Sequence, residues 1–99
     1  MPRQITLSVN DVPIKLEVYV AEVVYHVVSA LVLSLHDTGN IRDLTLTVDR
    51  GRVAIMLNGA PVSLKPFPMQ IITDTLDGMV RHLKGVQGQV ETLTATIHQ

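Results

Sequence analysis

The chain has 99 residues, 46% hydrophobic and 17% charged, enough to bury one modest core and far from the polar, highly charged composition of disorder. Its formal charge of -1 sets up no field toward nucleic-acid phosphates or anionic lipid, so neither is an expected partner. Cysteine is absent, which excludes disulfides, thiolate metal sites and a cysteine nucleophile.

Met1-Pro2-Arg3-Gln4 leads directly into the alternating residues Ile5, Leu7 and Val9, which leaves no room for an apolar leader and predicts a cytoplasmic protein. The alternation predicts a strand ending at Asn10-Asp11, residues that tolerate the positive φ of a tight hairpin turn. Val12, Ile14 and Leu16 then alternate with Pro13 and Lys15, so a second strand follows, with one buried face and a proline suited to a sheet margin. Val18 to Leu35 is ambiguous alone: its valines favour a strand, while its apolar run suits a buried helix or a short membrane span. A third strand over Arg42 to Asp49 sets Leu44, Leu46 and Val48 on one face and threonines on the other. Arg50-Gly51-Arg52 turns the chain into a second, similar series.

That series starts with Val53, Ile55 and Leu57, turns at Asn58-Gly59 and returns through Ala60, Val62 and Leu64. Met69, Ile72, Leu76, Met79, Val80 and Leu83 then recur at three- and four-residue spacing, opposite Gln70, Thr73, Asp74, Asp77, Arg81 and Lys84. This is the pattern of an amphipathic helix, opened by Pro66 and Pro68 and stopped near Gly85. Val90 to His98 closes the series as a strand with Leu93, Ala95 and Ile97 inward.

An offset of 48 pairs Asn10 with Asn58, Pro13 with Pro61, Leu16 with Leu64 and Val32 with Val80. One extra residue near Gln87 shifts it to 49, and Leu44, Thr45 and Thr47 then match Leu93, Thr94 and Thr96. By this correspondence Val18 to about His36 is also a helix, ending near Asp37-Thr38-Gly39. The expected fold is α+β: a single domain, 1–99, built by duplication of a ββαβ unit into repeats 1–49 and 50–99. About six mainly antiparallel strands would carry two helices on one face, about an approximate two-fold axis. The pattern does not set the strand order.

The two helical segments differ. Of the 18 residues from Val18 to Leu35, 14 are apolar, and Tyr25, Val27 and Leu33 stand where the second copy has Thr73, Thr75 and Arg81. Burying such side chains contributes about 1.5–3 kcal/mol each, so a cover is expected. The expected cover is a second copy of the chain or another protein, meeting Val20, Tyr25, Val27 and Leu33. Loops and the neighbouring helix are the internal alternative, and an apolar ligand is another. A membrane span is not expected, because Glu22 and His26 interrupt the run.

Glu22, His26 and Ser29 form one polar stripe, matched by Gln70, Asp74 and Asp77. Converging stripes would let Glu22, His26, Asp74 and Asp77 bind a divalent metal or pair a base with a carboxylate; solvated stripes would do neither. The latter is the expectation, since no His-x-x-x-His or His-Glu-x-x-His spacing occurs. No Gly-x-Ser-x-Gly elbow or phosphate loop is present, no cofactor is implied, and His36, His82 and His98 are given no catalytic role. Arg42, Arg50 and Arg52 with Lys65 are a weak basic patch, diluted by Asp43 and Asp49. Thr6, Ser8, Thr45, Thr47, Thr94 and Thr96 should line the uncovered sheet face. The reading is a non-enzymatic interaction or scaffold module, a homo-oligomer or a small subunit of a larger complex. The rival is a small enzyme or ligand- or metal-binding domain that uses the polar stripes.

Overall fold

The computed structural model describes residues 3–35, 40–83, 85–86 and 88–99, with backbone only at Leu35 and Pro66. The expected first-helix end at 36–39 and the extra residue near Gln87 lie outside the described residues, as does Lys84. In chain order the elements are β1 (Gln4–Val9), β2 (Val12–Pro13), α1 (Val18–Leu35), β3 (Asp43–Asp49), β4 (Arg52–Leu57), β5 (Ala60–Val62), α2 (Pro66–Val80) and β6 (Thr92–His98). The fold is α+β: the strands form one antiparallel sheet in the order β2-β1-β6-β3-β4-β5.

The sheet is organised around β6, which lies between β1 and β3. Leu46 faces Ala95 at the middle of the β3–β6 ladder, flanked by Leu44 opposite Ile97 and Val48 opposite Leu93. Period-two alternation puts all six on one face, together with Leu7, Val9, Ile55 and Leu57, and all are buried. That face closes on Val24, Val28 and Val32 of α1 and Ile72, Leu76 and Val80 of α2, forming one core cluster. Both triplets run at i, i+4, i+8, one narrow stripe on each helix. At about 1.5–3 kcal/mol per buried side chain, this packing outweighs the few tenths by which each valine disfavours a helix. The molecule measures 35 × 34 × 18 Å, a thickness that fits one layer of sheet and one of helices.

Turns follow the residues that make them. Asn10 and Asp11 have φ of 51° and 64°, and Asn58 and Gly59 have 50° and 85°, the double positive φ of a tight hairpin. The proline strands sit at the two sheet margins, and they are shorter than the alternation suggests. β2 is only Val12–Pro13, yet Ile14 N–H just beyond it donates to Leu7 O at 2.8 Å, so Pro13 does not interrupt the hairpin at this margin; Val12 is exposed and Ile14 reaches the core. Pro66 opens α2 at a position where an N–H would lack a helical partner anyway. α2 ends at Val80, short of Gly85, because its exit tightens into i→i−3 bonds from His82 to Met79 and from Leu83 to Val80. β3 and β6 start at Asp43 and Thr92, one and two residues later than their patterns suggest.

Candidate functional site

The polar stripe of α1 divides in the fold. Glu22 Oε2 lies 3.5 Å from His26 Nε2 and 3.7 Å from Arg3 Nη1. The Arg3 guanidinium rests 4.1 Å from the centre of the Tyr25 ring, whose edge meets His26 at 5.2 Å between centroids. Arg3 thereby covers part of the aromatic ring that the second copy lacks. Ser29, the third stripe residue, points inward and is buried. On α2, Gln70 Nε2 donates to Asp74 Oδ1 at 3.1 Å, and Asp77 pairs with Arg81 one turn on. Each stripe therefore bonds chiefly within its own helix. Among the described residues no three His, Asp or Glu side chains gather in a way that holds a metal.

The apolar positions of α1 also divide. Val20, Tyr25 and Val27 are half-buried against the core, whereas Leu33 remains 43% exposed. The most exposed large apolar side chains are instead Val18 at 84% and Tyr19 at 79%, in the first turn of α1, and Phe67 at 76%, in the first turn of α2. Ile71 follows Phe67 by one turn and is 44% exposed. Comparing where the copies differ overlooks these residues, since Tyr19 and Phe67 lie 48 apart, where the copies agree. An aromatic kept in the first turn of both segments is the signal that would have found them.

Two clefts open between a helix and the chain entering the next strand. The one beside α2, about 250 Å³, is lined by Thr73, Asp77 and Arg81 together with Gln89, Val90 and Glu91. The one beside α1, about 440 Å³, is lined by Tyr25, Ser29 and Leu33 together with Asn40, Ile41 and Arg42. These are corresponding positions: the helix residues are offset by 48 and the strand-entry residues by 49. The chemistry differs. The α2 cleft is ionic, with Asp77 and Arg81 paired and Glu91 3.6 Å from Arg50. The α1 cleft combines apolar Tyr25, Leu33 and Ile41 with polar Ser29, Asn40 and Gln99 and one cation, Arg42.

The weak basic patch disperses. Arg50 contacts Asp49 at 2.8 Å as well as Glu91, so much of its charge is neutralised. His98 Nδ1 contacts Asp43 Oδ1 at 2.7 Å across the central strand pair. Thr6 and Thr96 hydrogen-bond through their hydroxyls on the open sheet face. Among the described residues, no helix is long and apolar enough to cross a membrane. No protein-family model, curated protein or solved structure matches the chain.

Proposed function

We propose that the chain is a non-enzymatic interaction module, a homo-oligomer or small subunit of a larger complex, which engages its partner through the exposed apolar positions of α1. The observation that carries this reading is the exposure of Val18 and Tyr19 at the start of α1 and of Leu33 near its end. Such side chains in water forgo about 1.5–3 kcal/mol each that burial would return. A protein partner would cover them, and Val20, Tyr25 and Val27 would form the half-buried floor of that contact. A cytoplasmic setting suits a chain without cysteine.

The architecture behind the module is a duplicated ββαβ unit, repeats 1–49 and 50–99 in one domain. Three observations support this origin. The strand order reads β2-β1-β6 from one margin and β5-β4-β3 from the other. The β3–β6 register is unchanged when each residue is exchanged for its counterpart 49 positions away, about the Leu46–Ala95 pair. The hairpin asparagines also form matching bond sets. An ancestral homodimer fused end to end would leave these features.

Light scattering coupled to size-exclusion chromatography tests the proposal. A mass of two or more chains, reduced to one by Tyr19→Glu with Leu33→Arg while circular dichroism is unchanged, is the expected result. A monomer that captures no protein partner through these residues would overturn it.

A further inference from the structure

Asn58-Gly59 sets a side-chain carboxamide beside a backbone nitrogen that no side chain shields. Gly59 is exposed, and a Cβ built on it meets nothing within 4 Å. The other hairpin supplies an internal contrast, because Asn10 is followed by Asp11, whose Cβ and carboxylate crowd the corresponding nitrogen.

The Asn58 carboxamide is engaged at both ends. Oδ1 accepts from Arg42 N and Asp43 N, and Nδ2 donates to Asn40 O. These bonds dock the entry to β3, and they also immobilise the carboxamide. For Gly59 N to add to Cγ, the planar group has to become tetrahedral and shed Nδ2, which it cannot do while both ends are bonded. Reaction therefore requires 40–43 to come away from Asn58, a local opening of the kind that native chains undergo at element ends.

We propose that Asn58 is a deamidation site gated by this clamp, resistant while 40–43 is docked and modified when that segment opens. Gly59 N attacks Cγ and loses its proton; the Cγ–Nδ2 bond breaks, and Nδ2 leaves with that proton as ammonia. Water then opens the cyclic imide at Cγ to give aspartate, or at the Asn58 backbone carbon to give isoaspartate. Only water is consumed, and no group is oxidised or reduced. Either product lacks the Nδ2 donor to Asn40 O. Isoaspartate also routes the main chain through the former side chain, adding a carbon to a tight turn built on paired φ of 50° and 85°. The strand entry then cannot dock as before, so the change runs one way. Neither helix takes part, and the site stands or falls separately from the partner contact.

Peptide mapping by mass spectrometry tests the gate on the whole chain, incubated at mildly alkaline pH either folded or in concentrated urea. In urea, Asn58 should deamidate ahead of Asn10 and Asn40. Folded, Asn58 should react at least about tenfold more slowly than in urea, because opening forgoes three hydrogen bonds, each worth a several-fold factor. The isoaspartyl chain, separated by its added negative charge, should exchange the amide hydrogens of Arg42 and Asp43 about tenfold faster than the unmodified chain. Equal or faster reaction of Asn58 in the folded chain would overturn the gate, since the two N–H groups on Oδ1 would then be promoting attack. Unchanged exchange at Arg42 and Asp43 in the isoaspartyl chain would overturn the release of the strand entry.

Discussion

Asn10 and Asn58 make the same set of hydrogen bonds at opposite sides of the sheet. Asn10 Oδ1 accepts from the N–H groups of Glu91 and Thr92 at 2.8 and 3.1 Å, and its Nδ2 donates to Gln89 O at 3.0 Å. Asn58 Oδ1 accepts from Arg42 and Asp43 at 2.8 and 3.0 Å, and its Nδ2 donates to Asn40 O at 2.9 Å. Their own N–H groups donate to Thr92 O and Asp43 O. Each asparagine therefore starts a hairpin turn with its backbone while its side chain holds the chain entering the next strand. Asn58→Ala should cost about 2–3 kcal/mol, from three lost bonds and an alanine at positive φ, and Asn10→Ala a similar amount. Urea midpoints check this; a loss below about half a kilocalorie at both sites would mean that the strand entries hold themselves.

The residues after these asparagines differ. Gly59 at φ 85° carries no Cβ penalty, whereas Asp11 accepts the left-handed region at φ 64°. Gly59→Ala should cost about 1 kcal/mol even though a Cβ there meets nothing within 4 Å, since the strain lies in the backbone. Asp11→Gly should gain a few tenths of a kilocalorie. Thermal unfolding of the pair, recorded together, reads both signs.

Leu76 is 1% exposed, in the middle of the α2 stripe. Leu76→Ala should destabilise the fold by about 2–5 kcal/mol, as other leucines removed from packed cores do. Loss of the urea midpoint without a change in slope would identify a cavity left in an intact fold.

At the exposed end of α1, Tyr19→Glu should leave folding stability within about 0.5 kcal/mol of the original chain, because a side chain mostly in solvent contributes little to the core. Its effect should fall on association, read as mass by light scattering. Phe67→Glu provides the comparison at the start of α2, and a larger loss of association from Tyr19→Glu would favour α1 as the main contact.

Much of this fold was legible because alternation, helical spacing and turn residues agree locally. Leu44, Leu46 and Val48 announce a one-sided strand, and Asn58-Gly59 announces a hairpin. α1 was legible only by analogy with α2, since its valines and its scarcity of polar residues erase the helical contrast. Strand order was hidden, because nothing local to Thr92–His98 says that it pairs with both β1 and β3. The candidate sites were harder still. Whether Ser29 faces water or the core depends on a small rotation of α1 about its axis, and whether Arg42 lines the cleft beside α1 depends on where the chain re-enters the sheet. Tertiary packing sets both.

The central position of β6 also bears on synthesis. Until residues 92–98 emerge from the ribosome, β1–β2 and β3–β4–β5 are two hairpin sheets with no strand between them, each with an unpaired edge. Completing the sheet joins Gln4 to His98, so folding closes a loop almost the length of this sequence, a topology that favours slow folding. During that interval the nascent chain presents the edges most prone to pair with a neighbour, which makes the time before residues 92–98 become available the stage at which a chaperone would be of most use.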